Sequence, residues 1–170
     1  MASDTKNVKV GVCKVFFNNV DLGYTKGGVE VTVKTETYKT NVDQFGKTTI
    51  NETVIGREVM AKVPLAETTL ENLVSIMPGA TLVVDGVDPE IKHVDVTVGT
   101  GISLLETAKE LRLHPISKPD MDKSEDFVIP LANTAGSLNF AYKLEDERIF
   151  ECEFTGYPDP VTKKLFYVGK

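Results

Sequence analysis

The side chains best suited to chemistry are few and widely scattered. Cys13 and Cys152 are the only thiols, 139 positions apart, and His93 and His114 are the only imidazoles. A catalytic thiolate needs an electropositive, accessible setting, yet Val15 shares the strand face of Cys13, and Phe150 and Phe154 flank Cys152, as expected of inert core cysteines. The two histidines stand 21 positions apart with Asp95 just beyond His93, and neither lies in a zinc-binding spacing. Asp85, Asp88 and Glu90 carry the oxygens a calcium ion would want, but Pro89 and the absence of the other loop ligands read as a plain turn. Glu151 and Glu153 fall on one side of a strand, about 7 Å apart by the strand rise. That suits the carboxyl pair of an inverting glycosidase, although solvated strands produce the same spacing constantly. Gly23, Gly27 and Gly28 lack the following Lys-Ser/Thr of a phosphate loop and read as turn residues. No nucleophile elbow accompanies any of these groups. No catalytic residue, cofactor or metal site is expected, and the chain is not expected to be an enzyme.

Charge points the same way. Nineteen basic against twenty-five acidic residues give a formal net charge of −6, which repels a polyanion at long range. Lys163 and Lys164 form only an isolated pair, so specific nucleic-acid binding is not expected. The 41% apolar and 26% charged composition is that of a folded chain. Two distant cysteines suggest a reducing setting without a disulfide framework. The first residues lack the apolar core of a signal peptide, and no run reaches the length of a membrane helix, so neither secretion by the ordinary route nor membrane insertion is expected.

The elements that must position these groups are mostly strands. Lys9 to Phe17 is β-branched and aromatic. From Val29 onward Val29, Val31 and Val33 alternate with Glu30, Thr32, Lys34 and Glu36, which predicts one buried and one polar face. Asn41 to Asn51 reads as a connection or the tip of a long hairpin, and Glu52 to Leu65 as the returning strand, with Arg57, Val59, Ala61 and Val63 opposite Glu58, Met60 and Lys62. Gly56 reads equally as a bend or bulge and as a simple gap in side-chain packing. Thr68 and Glu71 have capping-box spacing, and Leu70, Leu73, Val74 and Met77 form one helical stripe that Pro78-Gly79 ends. Ala80 to Val84 and Glu90 to Val98 read as strands about a turn, and Ser103 to Leu111 as a helix-like turn leading to a short edge strand. Ser117 to Asp126 is loop-like. Strands are predicted at Phe127 to Leu131, Gly136 to Leu144, Arg148 to Thr155 and Leu165 to Val168. The pattern predicts a mainly β fold, an antiparallel β-sandwich or partly open β-barrel with one short flanking α-helix. No repeat or linker divides it, so residues 9–170 read as a single domain behind an N-terminal arm, residues 1–8.

Several separated segments carry a resemblance. They are Asp21-Leu22-Gly23-Tyr24-Thr25-Lys26-Gly27-Gly28-Val29, Val42-Asp43-Gln44-Phe45-Gly46, Leu65 to Leu73, Leu111-Arg112-Leu113-His114-Pro115, and Phe154 to Pro160 followed by Leu165 to Gly169. In order and spacing, over positions about 8 to 169, the chain resembles a major tail tube protein of a tailed bacteriophage, most like the long non-contractile type. The resemblance implies a homohexameric ring whose inner strands join into a continuous barrel, with stacked rings forming the conduit for DNA ejection. It implies residence in the virion tail after assembly in the host cytoplasm. Implied partners are other copies of the chain, the tape measure protein, the tail terminator and tail-tip proteins, with viral DNA as non-specific transit cargo. On that reading Glu30, Lys34, Glu36, Glu58, Lys62, Lys143, Glu151 and Glu153 are the expected lumen face, carrying a balance of −2. Asn41, Asp43, Gln44, Phe45 and Asn51 are the expected ring-stacking loop, and the N-terminal arm is a second contact. Thr68, Leu70, Glu71, Leu73, Val74 and Met77 are assigned to capping and packing the helix. The alternatives are the inner tube of a contractile tail, a tail terminator, or a non-enzymatic β-sandwich binding module.

Overall fold

Period-two alternation dominates this chain, and the computed structural model, which describes residues 3–170, is built mostly of strands. They are β1 (Cys13–Phe17), β2 (Val20–Asp21), β3 (Glu30–Thr40), β4 (Asn51–Leu65), β5 (Ala80–Val84), β6 (Lys92–Val96), β7 (Lys109–Pro115), β8 (Phe127–Thr134), β9 (Phe150–Gly156) and β10 (Tyr167–Val168). One α-helix, α1 (Leu70–Ile76), lies between β4 and β5. Eight strands make one antiparallel sheet in the order β2-β1-β7-β8-β9-β4-β3, with β10 added to β8, and β5-β6 form a separate hairpin. The fold is mainly β with an open sheet and one short flanking helix.

The sheet coils enough to pack its inner face on itself. Phe17 on β1 meets Phe154 on β9 with ring centroids 5.0 Å apart. Val15, Leu22, Val59, Ala61, Val63, Leu65, Leu111, Ile129 and Phe154 form the centre of the core, and Ile76 of α1 joins it. Beyond β2 the chain crosses to the end of β4, where Thr25 bridges Leu65, without closing a barrel.

Gly156 shows how tightly β9 lies on its neighbours. A Cβ there would meet Val59 Cγ1 at 2.3 Å and Ile129 Cγ2 at 2.8 Å, so only glycine fits. The register of β3 on β4 shifts between Glu36 and Thr37, leaving Ile55 as the extra residue beside Gly56. Of the two readings of Gly56, the bulge is the one the structure holds.

Several local expectations need correction. The first strand begins at Cys13 rather than Lys9, and Val8, Val10 and Val12 before it are exposed. Of the expected arm, residues 1–2 lie outside the described residues, while Thr5–Asn7 make a single 3₁₀ turn capped by Asp4. Strand β7 is central, between β1 and β8, and not an edge; Pro115 is accommodated because it is the last residue of the strand.

Gly136 to Leu144 makes only isolated bridges, Asn139 to Glu151 and Lys143 to Asp146. β4 covers one side of β9 from Phe150 to Thr155, whereas β8 covers the other only at Phe154–Gly156, so an edge is free over Phe150–Glu153 and the segment meets it only at Glu151. Its aromatic side chains are engaged instead by Arg148, which lies against Phe140, Tyr142 and Phe150.

The helix is capped and packed differently from the expectation. Thr69, not Thr68, is the N-cap, its Oγ1 accepting from Asn72 N at 3.1 Å. Thr68 Oγ1 accepts instead from Arg148 Nε and Nη2, at 3.0 and 2.8 Å. Glu71 does not reach back to the cap and lies 3.5 Å from Lys92 Nζ. The buried residues of the helix are Asn72 and Ile76, while Leu73 packs on the core and Leu70 is exposed. Asn72 Nδ2 donates to the carbonyls of Leu22 and Glu67, both at 2.8 Å, tying the helix to the loops on either side of the core.

Candidate assembly surface

Strand alternation gathers most of the scattered charges onto one face. Glu30 on β3 lies opposite Lys62 on β4, which lies opposite Glu153 on β9, a row across three strands. Lys34 faces Glu58, Glu36 faces Gly56, and Glu151 faces Pro64 on the same side of the sheet. Thr32, Met60 and Thr155 fill the row between. On the opposite side Val31, Ala61 and Phe154 align, followed by Val63 with Cys152 and Leu65 with Phe150, so the two faces divide sharply into polar and core.

Seven of the eight residues expected on this face are on it. Lys143 lies outside the strands, in the segment between β8 and β9 that runs beside Glu151. With five carboxyl side chains against two lysines, the seven strand residues carry a balance of −3, which Lys143 beside Glu151 offsets to −2. Lys62 Nζ and Glu151 Oε2 are 3.9 Å apart and both half exposed, a pair that water screens to little net stabilisation.

Two features extend this face beyond the core. Only Met60–Leu65 of β4 pair with β9 and Val59 is still in the core, so Asn51–Glu58 and their partners on β3 continue as a two-stranded arm. At roughly 3.3 Å per residue that arm runs about 26 Å. Its tip holds the expected loop residues: Asp43, Gln44 and Phe45 form a 3₁₀ turn, and Asn41 and Asn51 flank it, all exposed. Tyr38, Phe45, Ile50, Val54 and Ile55 project apolar surface from the arm into solvent, and the predicted buried face of β3 is already 42% exposed at Val33. The second feature is the outer edge of β3. It ends the sheet order, and among the described residues no strand pairs with it over its eleven residues.

The groups first considered for chemistry do not converge. Cys152 is buried, its thiol donating to Val63 O at 3.0 Å, and burial pushes its pKa up to about 12. Burial raises that of Cys13 as well. Neither environment favours a thiolate. Asp85 Oδ1 accepts from the backbone of Val87 and Asp88, and Asp88 Oδ1 from Glu90 N, the geometry of a turn. Backbone donation from Asp88 and Val87 holds the Asp85 carboxyl below its ordinary range. His93 is exposed beside Asp95 at 3.5 Å. Among the described residues no group of three or more His, Cys, Asp or Glu side chains could hold a metal ion.

Two arrangements escaped the sequence reading. His114 is buried, with Nδ1 2.6 Å from Asp126 Oδ1 and Nε2 3.3 Å from Lys118 O, so it fastens β7 to the loop that follows it. Arg148 lies against Phe140, Tyr142 and Phe150, its guanidinium carbon 5.9, 5.5 and 5.9 Å from the ring centroids. A histidine on an alternating strand followed by an acid-rich loop was the only trace of the first, and an arginine bordering alternating aromatics the only trace of the second.

Comparison with protein-family models and with curated proteins finds no match for the chain.

Proposed function

We propose that this protein is a structural, self-assembling tube component, as its resemblance to phage major tail tube proteins implies. The observation that carries the reading is β3, an eleven-residue edge strand whose outer backbone groups have no partner strand and whose polar side chains continue a three-strand face. An unpaired edge is a template for another chain, and repetition of the contact by rotation closes a ring. In a six-membered ring the polar face of β3, β4 and β9 lines the lumen and the β3–β4 arm reaches toward the next ring.

The charge of the face suits a conduit. A wall that binds phosphates would retain DNA at every ring, whereas a net negative face lets the polyanion pass without being gripped. The exposed apolar groups of the arm, Tyr38, Phe45 and Ile55 among them, supply the contact area that a polar lumen cannot.

The test is negative-stain microscopy of the purified chain together with its mass in solution over a wide concentration range. Six-membered rings or hollow tubes are expected. A strictly monomeric chain at every concentration refutes the proposal.

A further inference from the structure

The loop between β8 and β9 presents a hydrophobic side chain that nothing in the fold uses. Leu144 is fully exposed, and Glu145, Asp146 and Glu147 follow it, all on the surface. The loop is nevertheless braced. Lys143 bridges Asp146, and Lys26 pairs with Glu147 and stands 3.9 Å from Asp146. Arg148 donates to Thr68 and to Tyr142 Oη at 3.2 Å while packing on three aromatic rings, and Phe140 packs on the core residue Phe150 with centroids 5.4 Å apart and the rings tilted by 60°. Holding a leucine on a fixed turn in water gains the fold nothing, whereas it lowers the ordering cost of a contact made there.

At the other end of β9 is a surface of matching character. A cavity of about 370 Å³ is lined by Pro158, Leu165 and Phe166, with Arg57 and Lys163 at its walls. Phe166 is fixed beneath by stacking on Phe127, centroids 5.1 Å apart. Lys164 adds a further positive charge nearby, while the Asp159 carboxyl is turned to the backbone of Val161 and Thr162. Lys163 adopts a positive φ of 58°, a conformation that costs a non-glycine residue energy and fixes where the side chain departs.

We propose that the Leu144 tip of one copy docks in the Arg57–Lys163 cavity of a second copy, leucine on the apolar floor and Glu145 against the basic walls. Charge complementarity selects the occupant: Lys26 engages Asp146 and Glu147, which among the described residues leaves Glu145 beside Leu144 as the unpaired acid, and a leucine–glutamate tip fits a basic-walled apolar cavity of the same chain. The two surfaces sit at opposite ends of the seven-residue β9, about 23 Å apart at the usual strand rise. Repeated by rotation about the ring axis of the reading above, the contact is head-to-tail and gives the assembly a polarity. This rests on the self-assembly reading above and adds to it the surface through which successive copies engage.

The experiment mixes two variants that each add one cysteine to the full chain, Leu144→Cys and Lys163→Cys, both carrying Cys13→Ser and keeping the buried Cys152, under mild oxidation, with Val87→Cys replacing Leu144→Cys as an exposed control. Val87 is 95% exposed on the β5–β6 turn. A disulfide-linked heterodimer is expected from the first mixture well above the control. In parallel, Leu144→Glu should raise the concentration needed for assembly roughly tenfold or more, because it places a charge where an apolar anchor was buried. Oligomers that form normally in Leu144→Glu, with no cross-link above control, overturn this contact and leave self-assembly standing. A chain monomeric at all concentrations with no cross-link overturns both. A cross-link between two Leu144→Cys chains instead would also refute the head-to-tail arrangement.

Discussion

Removing the His114 imidazole should be among the most damaging single changes in this protein, and the structure sets its size. The side chains of His114 and Asp126 are 3% and 1% exposed and joined at 2.6 Å, and the guanidinium of Arg112 is farther off, with Nη1 3.9 Å from Asp126 Oδ2. Asp126 Oδ2 and Arg112 Nε have no hydrogen-bond partner of their own. Truncating His114 to alanine therefore strands a buried carboxyl group whose remaining support is weak. Breaking such a pair costs about 3–5 kcal/mol, and the hydrogen bond itself accounts for about 1.5–3 kcal/mol of that. Against a typical domain stability of about 5–15 kcal/mol this is a large fraction. Asp126→Ala should cost a similar amount by leaving the imidazole Nδ1 and Arg112 unpaired. The double variant should lose about 1.5–3 kcal/mol less than the two singles combined, since the second truncation removes a partner already lost. Urea titration at a concentration where the chain is a single species measures each value, with an unchanged slope confirming that the denatured state is the same. Singles costing under about 1 kcal/mol, or additive within about 0.5 kcal/mol, would refute the view that this pair locks the 117–126 loop to β7.

Thr69→Ala should destabilise the fold by about 1 kcal/mol through loss of the Asn72 N–H cap, while Leu70→Ala, at an exposed position, changes little; denaturant midpoints that reverse this order would show the cap to be misassigned. Gly156→Ala should cost about 1–3 kcal/mol, since its Cβ overlaps Val59 and Ile129, and a neutral result in thermal unfolding would mean that β4 and β8 yield easily. The raised pKa of Cys152 means that the buried neutral thiol contributes stability fully below the unfolded value near 9 and loses it as pH rises toward about 12. Cys152→Ala should therefore flatten the alkaline part of a stability-versus-pH curve, and native-state thiol labelling at pH 8.5 should modify Cys152 only after unfolding. Labelling at the rate of a free thiol would contradict its burial.

Local periodicity carried most of the strands. The alternation of Val29 to Glu36 and of Val59 to Leu65 set two faces before any partner strand was known, because side-chain direction in a strand is fixed by the backbone itself. That is why seven of eight charged residues expected together lie on one face. Composition likewise announced an inert Cys152, since its neighbours at two-residue spacing are aromatic.

The tertiary structure decided everything that depends on a partner. Leu138, Phe140, Tyr142 and Leu144 alternate as cleanly as any strand, yet with Phe140 and Tyr142 held by Arg148 they meet the free stretch of β9 only at the Asn139–Glu151 bridge and become a braced loop. Thr68 and Thr69 are equivalent in sequence; Arg148, eighty positions away, engages Thr68 and leaves Thr69 to cap the helix. His114 and Asp126 look like a strand histidine and a loop acid until the sheet buries both. A side chain's direction is local, but its burial and its hydrogen-bond partner are contributed by segments distant in the chain, and only the packed sheet brings those segments together.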